Sequence, residues 1–424
     1  PRRTPRGGRP LTSRPVALLE IHHRDPGSRA RTGVLNLAHG PVRTPAFVPL
    51  ATKGTVKGLE PREVAALGYD MVLGNTFHLF LAPGHEHVAA QGGLHEFMRW
   101  SGPIITDSGG FQVFSMGHGT VADEIKGRAP SGPDRAGAIL AIEEEGVRFR
   151  SYIDGRARFM APETSMEVQA ALGSDIALAF DECTPFHVTR DYTERSTERT
   201  HRWLDRCLDW HDAHAPEGQV LYAIAQGGVY EDLRRASTRH VAQTRAPGVA
   251  IGGSLGADKA QMYEVVDWAT AELERVAPGK PRHLLGIGEV DDLVRGVELG
   301  IDTFDCAMPT RIGRHGMALV PDPGRRWRVD LTKGRMRNAR EPIMEGCPCP
   351  ACSNGFTRAY LHYLFSVREL TALRLVTLHN LAFIARLMAD LRAAIANGTL
   401  AEVATAIRAG AAPGALATAG ASAS

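Results

Sequence analysis

Eight short apolar runs alternate with helical patterns along this chain, and a Cys-x-Cys-x-x-Cys cluster stands near its C-terminus with a histidine downstream. Together they predict an α/β fold: a (β/α)8 TIM barrel followed by a C-terminal zinc-binding subdomain. The apolar runs cover 46–50, 71–74, 103–106, 176–180, 220–225, 249–251, 283–287 and 301–304, each ending in a polar or glycine-rich turn. Helical periodicity fills most of the gaps, over 60–67, 161–172, 195–211, 230–244, 259–276 and 290–299. Strands separated by helices imply a parallel sheet, because only a long crossover returns the chain in the same direction. A doubly wound open sheet is the alternative architecture, and it would spread the strand-end residues along a crevice.

The 424 residues suffice for one barrel-sized domain and an accessory region. The expected division is a basic tail over 1–14, a barrel over 15–320, a zinc-binding and helical region over 321–395, and an Ala/Gly-rich tail over 396–424. A net charge of +2 excludes a polycation as a whole. Positive charge is nevertheless concentrated twice: five arginines fall in the first 14 residues, and Arg325, Arg326, Arg328, Lys333, Arg335, Arg337 and Arg340 form a second stretch. The first reads as a disordered tail. The second reads as a nucleic-acid surface or a solvated face. No apolar stretch looks long enough to span a membrane. The lack of a secretory signal and the thiols beside a metal site predict a cytoplasmic protein.

Cys347, Cys349 and Cys352 place three thiols within six positions. Prolines at 348 and 350 make the segment a tight turn, and a disulfide pattern would not explain the spacing. Three thiolates and one imidazole form a closed tetrahedral site of the structural kind. His379, on a helical run, is the candidate fourth ligand, with His362 also downstream.

In a parallel barrel the C-terminal ends of all strands meet at one mouth. The residues just past the apolar runs are Asn75, Asp107, Asp181, Gln226, Gly252 and Gly253, Gly286 and Asp305. Asp107 opens an Asp107-Ser108-Gly109-Gly110-Phe111 turn. Its carboxylate suits general acid/base work, the glycines admit close backbone approach, and Phe111 offers a stacking face. Asp181, before Glu182 and Cys183, is an acceptor suited to a base that presents an N–H and an amino group side by side. Gln226 can donate to a carbonyl oxygen, so the pair can read both polarities of a guanine edge. Asp305 can act as a carboxylate nucleophile of the glycosidase type, and Arg311 and Arg314 can hold phosphates. Taken singly, each of these is equally served by a helix cap, a loop hydrogen bond or a salt-bridged strand end.

The ordered set DSGGFQVFS, AFDEC, the Gln226-Gly-Gly turn, GVAIGGSLG, HLLGIG, DTFDCAMPTRIGRHG and the Cys₃His group resembles the tRNA-guanine transglycosylase (bacterial queuine tRNA-ribosyltransferase) family over residues 43 to 388. The resemblance implies a transferase that exchanges the wobble guanine of GUN anticodons, in the tRNAs for Asp, Asn, His and Tyr, for 7-aminomethyl-7-deazaguanine. It implies Asp305 as nucleophile and Asp107 as general acid/base. It implies base binding by Asp107, Ser108, Gly109, Gly110, Phe111, Asp181, Cys183, Gln226, Gly253 and Leu285. RNA would be contacted by Gly286, Ile287, Gly288, Glu289, Val290, Asp291 and Asp292, and by Thr310, Arg311, Ile312, Gly313 and Arg314. One structural Zn2+ would sit on Cys347, Cys349, Cys352 and His379, and the enzyme would be a homodimer. Two departures stand out. The segment Gly252-Gly253-Ser254-Leu255-Gly256-Ala257 is one residue shorter than the family pattern and lacks its glutamate, which bears on the choice between guanine and the aminomethyl base. Residues 117–144 carry extra length, read as a tolerated insertion or a lid. A noncatalytic subunit would be expected to lose Asp107 or Asp305, and a hydrolase would leave the basic zinc region unexplained.

Overall fold

A computed structural model of the chain describes residues 17–118 and 139–415. The basic tail, most of the 117–144 segment and the last nine residues lie outside this range.

The chain opens with an antiparallel meander, β1 (Leu19–Arg24), β2 (Arg31–Leu37) and β3 (Gly40–Thr44). It then enters the barrel through β4 (Ala46–Pro49), β5 (Val72–Gly74) and β6 (Ile104–Thr106). A second antiparallel sheet follows, β7 (Ile139–Ile142), β8 (Val147–Arg150) and β9 (Ala157–Met160). The barrel continues with β10 (Ile176–Leu178), β11 (Val220–Ala225), β12 (Gly248–Ile251), β13 (Arg282–Leu284) and β14 (Thr303–Cys306). All neighbouring barrel strands pair in parallel in the order β4-β14-β13-β12-β11-β10-β6-β5. A parallel bridge between Leu50 and Leu73 joins the two ends, and Ala51 N–H donates to the Leu73 carbonyl at 2.7 Å. The sheet is therefore the closed ring that the sequence predicts. Every apolar run contributes a barrel strand, with bounds shifted by a few residues: 176–180 and 283–287 end as strands at Leu178 and Leu284, and 301–304 begins as one at Thr303.

Helices Pro61–Ala66, Pro162–Leu172, Glu231–Gln243, Lys259–Val276 and Val290–Glu298 occupy the predicted intervals. The helix predicted over 195–211 is longer, Arg190–His214, because Thr189 caps it: its hydroxyl accepts from Tyr192 N–H at 3.3 Å. Three short helices between β5 and β6, Thr76–Leu81, His85–Ala90 and Gly93–Met98, have too few turns to leave a periodic signal.

The meander plugs the N-terminal end of the barrel. Leu35 and Val42, both fully buried, join Met71, Ile105, Ile176 and Tyr222 in one apolar cluster. Its polar residues grip three aspartates that each stand just before a barrel strand. Arg43 pairs with Asp70, whose oxygens lie 2.9 Å from Nε and Nη2. His39 Nδ1 lies 2.9 Å from Asp175, and its ring stacks on His95 with centroids 3.6 Å apart. Arg31 reaches Asp302 at 2.8 and 2.6 Å, and this pair is almost fully buried. Asp302 also accepts Arg282 N–H at 2.7 Å, and Arg31 donates to the Lys280 carbonyl at 2.8 Å, so neither charge is left unsatisfied.

After the barrel, β15 (Met317–Leu319) and β16 (Arg328–Asp330) form an antiparallel pair, and helix Leu370–Asn397 runs back along the molecule. This 28-residue helix corrects the expectation that no stretch could span a membrane: by length and composition it is long and apolar enough, but its apolar stretch is mostly buried inside the protein. It serves as a core helix. Asn380, fully buried, accepts Leu319 N–H at 2.8 Å and donates to the Pro309 and Met317 carbonyls at 2.9 and 3.0 Å. Part of the Ala/Gly-rich stretch after 396 is ordered as helix Leu400–Arg408, which buries Leu400, Ala404 and Ile407.

Removing one side of the buried Arg31–Asp302 pair strands the other charge. Arg31→Met and Asp302→Ala are each expected to lower unfolding free energy by about 3–5 kcal/mol, with the double variant losing less than the sum. Urea denaturation of the four proteins measures this, and additive losses would mean that the pair does not act as a unit.

Candidate active site and metal centre

The mouth is formed where β5, β6, β10, β11, β12, β13 and β14 release their last residues. Asp107 follows β6. Its Oδ1 accepts Thr76 N–H at 2.8 Å and its Oδ2 accepts the Asn75 amide. Asn75 follows β5 and also caps helix Thr76–Leu81 through His78 N–H at 2.9 Å, so one residue fixes both the helix and the carboxylate. Burial pushes the Asp107 carboxyl up to about 7, and the nearby Asp305 charge adds to the rise. A carboxyl held there has both protonation states populated near neutral pH, which is what a group that gives and takes a proton needs.

Asp305 lies in β14 and is largely buried. Its Oδ1 is 3.1 Å from His283 Nε2 and accepts Gly286 N–H at 3.2 Å. His283 is fully buried in β13, and its Nδ1 is 2.8 Å from Thr303 Oγ1. The carboxylate is thus aimed by a neighbouring strand. Sequence reasoning placed His283 only in a strand; the signal available was a histidine at an inward position of an apolar run.

Asp181, Gln226 and Ser108 form a connected set. Ser108 Oγ donates to Asp181 Oδ1 at 2.7 Å, and Gln226 Nε2 donates to Asp181 Oδ2 at 2.6 Å. Burial raises the Asp181 carboxyl to about 6. Among the described residues, Gln226 Oε1 is buried with no hydrogen-bond partner. Gly110 must be glycine, because a Cβ there would lie 2.5 Å from the Asp181 carbonyl oxygen. Gly109 has φ +79°, in the left-handed region. Gly253 likewise has φ +79°, and a Cβ on it would collide with Gln226 Oε1. Phe111, Cys183 and Leu285 are half-buried around this set, and Leu285 Cδ1 packs against Gly252. Glu182, beside Asp181, accepts the Tyr192 hydroxyl at 2.6 Å and so ties this loop to helix Arg190–His214.

In the C-terminal region, the Sγ atoms of Cys347, Cys349 and Cys352 lie 3.7, 3.4 and 3.4 Å from His379 Nδ1. All four residues are buried, and their ligand atoms gather within 4.8 Å of one another, so the group can hold one metal ion. His379 Nε2 is 2.7 Å from the Leu319 carbonyl. That contact keeps the proton on Nε2 and leaves the Nδ1 lone pair facing the thiols. His362 is instead 2.9 Å from the Leu331 carbonyl.

The 286–292 segment is tied to the C-terminal region that carries the cysteine cluster. Glu289 pairs with Lys259 at 2.9 Å and Arg328 at 2.8 Å, Asp291 accepts Trp327 Nε1 at 3.1 Å, and Asp292 accepts the Tyr263 hydroxyl at 2.7 Å. Ile287 and Val290 are buried, and Gly288 packs against Cys306 and Phe47. Thr310, Arg311, Ile312, Gly313 and Arg314 lie on helix Met308–Arg314. Gly313 sits against the backbone of Thr377 on the long helix. Arg325, Arg326, Arg328 and Arg335 line a cleft of about 450 Å³ with Asp330 and Met317. Of the extra-length segment, β7 pairs with β8, and Glu144 accepts Arg202 at 2.6 and 2.9 Å.

A model of the queuine tRNA-ribosyltransferase family matches residues 25–412. A queuine tRNA-ribosyltransferase of Roseiflexus sp. (strain RS-1) is 48% identical over 394 residues, covering 91% of this chain and 97% of that protein. The protein of the same name from Pelotomaculum thermopropionicum is 46% identical, covering 90% of this chain and 95% of its own length. That from Symbiobacterium thermophilum is also 46% identical, covering 90% and 88%.

The raised carboxyls make a stability prediction. With folded-state values of about 7 and about 6, Asp107 and Asp181 keep their protons longer in the folded protein than in the unfolded chain. Stability from these two sites is therefore lost as pH rises from about 4 to about 7. Asp181→Asn, which cannot ionise, should show a shallower fall in Tm across that window than wild type. Equal slopes would mean that Asp181 is not the group titrating.

Proposed function

The chain belongs to the queuine tRNA-ribosyltransferase family, and on that premise we propose how its own residues carry the reaction. The activity is tRNA guanine exchange in queuosine biosynthesis, and the enzyme is a glycosyltransferase-type transferase. The observation that carries the residue assignment is the meeting of Asp107, with its carboxyl near 7, and the His283-aimed Asp305 at one barrel mouth.

The target guanine leaves its stack and enters the mouth. Gln226 turns its amide from Asp181 to the base carbonyl, and Asp181 then accepts the ring N–H and the amino group. Asp305 attacks C1′ of the ribose as the glycosidic bond breaks, forming a covalent ester, and Asp107 gives its proton to the departing base. The incoming base loses a proton to Asp107 and displaces Asp305, so both carboxyls return to their starting states. Neither ATP nor a redox partner enters this balance. The incoming base is 7-aminomethyl-7-deazaguanine.

The organisation we propose is a catalytic barrel over 15–320 and a metal-binding helical region over 321–395, with terminal segments on either side. Cys347, Cys349, Cys352 and His379 hold a structural Zn2+; three thiolates and one imidazole leave no open position, which suits zinc in that role. Its contribution is to folding of the C-terminal region. The partners are GUN-anticodon tRNAs for Asp, Asn, His and Tyr, bound by a homodimer in the cytoplasm. Arg311, Arg314 and the arginines around the 450 Å³ cleft supply the positive field for the RNA backbone.

Incorporation of labelled guanine into unmodified GUN-anticodon tRNA tests the reading. Wild type should incorporate label, and Asp305→Asn should form no covalent RNA adduct while still binding tRNA; an adduct in that variant would mean another nucleophile. The wild-type rate should fall as pH rises through about 7, where Asp107 loses the proton it must give to the departing base, and Asp107→Asn should lose both this limb and on the order of 10²–10⁴-fold in rate. Cys349→Ser should lower bound zinc below one ion per chain together with Tm; unchanged metal and melting would remove it from the site.

A further inference from the structure

The N-terminal end of the barrel, opposite the mouth, holds a second cluster of metal-ligating side chains that base exchange does not use. His39 lies in the turn between β2 and β3, His95 on helix Gly93–Met98, and Asp175 just before β10. Their ligand atoms all lie within 4.8 Å of one another. His39 Nδ1 is 2.9 Å from Asp175 Oδ1, and His95 Nε2 is 3.2 Å from Asp175 Oδ2.

A hydrogen-bonded triad alone does not account for this arrangement. His95 Nε2 is buried and makes no hydrogen bond among the described residues, although the carboxylate is close: the in-plane direction of the nitrogen misses that oxygen. The two imidazole rings stack, with centroids 3.6 Å apart and planes inclined by 15°. Two positive rings would repel at that distance, and a single carboxylate cannot neutralise both. One cation that takes a lone pair from each ring removes the repulsion and gives His95 Nε2 a partner.

The carboxylate is held ready for such an ion. The Asp175 side chain is fully buried, and it accepts His39 N–H at 2.9 Å and Ile104 N–H at 2.8 Å. Ligands at about 2.0–2.1 Å around a tetrahedral ion lie about 3.3 Å from one another, close to the 2.9 and 3.2 Å separations between rings and carboxylate. The His39 side chain is 45% exposed, which gives an ion a path from solvent and leaves room for water beside it.

We propose that His39, His95 and Asp175 form a second metal site, which takes a divalent ion of the Zn2+ class with water as fourth ligand. Two imidazoles and one carboxylate suit zinc better than magnesium or calcium, which prefer all-oxygen shells. The ion pins the β2–β3 turn of the meander to the start of β10 and to helix Gly93–Met98. With no thiolate and one exposed ligand, it exchanges with solvent more readily than an ion on the Cys₃His group.

The test dialyses the zinc-loaded enzyme against micromolar free Zn2+ and counts bound metal in wild type, His39→Gln and His95→Gln. Wild type should gain one further ion per chain. Each variant should bind that ion at least about tenfold more weakly, the smallest loss typical even of an outer-shell partner. Added Zn2+ should raise the Tm of wild type and leave that of the variants unmoved, a comparison that holds where a variant starts less stable. A further ion bound equally by all three would lie elsewhere and overturn the proposal, as would a wild type that gains none. Should neither variant fold, anomalous scattering at the zinc edge from wild-type crystals soaked in Zn2+ decides: a peak between His39 Nδ1 and His95 Nε2 is expected, and no peak there would overturn the proposal.

Discussion

Closure of the ring at β4 is the constraint on which the rest of the molecule depends. That strand pairs with β14 on one side and reaches β5 through the Leu50–Leu73 bridge on the other. Only when both contacts hold do the ends of β6 and β14 face a common mouth, and only then can Asp107 feel the charge of Asp305. The meander reinforces closure from the opposite end. Three side chains from it, Arg31, His39 and Arg43, hold aspartates at the entrances of β14, β10 and β5. The plug and the mouth are separate parts of the chain, yet each is positioned by the same eight strands.

The site concentrates groups that a stable core would avoid. Asp181 is a buried and Asp107 a half-buried carboxyl, both with raised values, and among the described residues Gln226 Oε1 is a buried acceptor without a partner and Arg234 a buried cation without an anion. Each costs free energy in the free protein; Asp107 is held by the Thr76 N–H, Asp181 by Ser108 and the Gln226 amide, and Arg234 by strand-end carbonyls. A ligand that offers an N–H and an amino group to Asp181, and a carbonyl oxygen to Gln226, would relieve part of that cost. Destabilisation is placed where binding can recover it.

The C-terminal region answers a different need. His379 and Asn380 are neighbours on one helix. His379 faces the thiols and the Leu319 carbonyl, while Asn380 takes Leu319 N–H and reaches back to Pro309. The Cys₃His cluster is thereby joined through two residues to the helix that follows Asp305. Glu289, bonded to Arg328 and Lys259, adds a second bridge between barrel and C-terminal region.

The eight strands, the crossover helices, the strand-end carboxylates and the cysteine cluster were legible in the sequence, because each depends on local pattern: apolar runs, 3.6-residue periodicity, Gly-rich turns and short ligand spacing. The choice of His379 over His362 was open until folding brought one to the thiols and turned the other to Leu331. The meander's grip on Asp70, Asp175 and Asp302 and the aiming of Asp305 by His283 join residues far apart in the chain. No local pattern encodes such pairings. Burial, too, decides protonation: Asp107 and Asp181 are ordinary aspartates in sequence, and only the dry interior of the mouth lifts one to about 7 and the other to about 6. The sequence determined which chemical groups the protein has and which ends of strands carry them; the tertiary structure decided their neighbours and their charge, because both are set by distance and solvent exclusion.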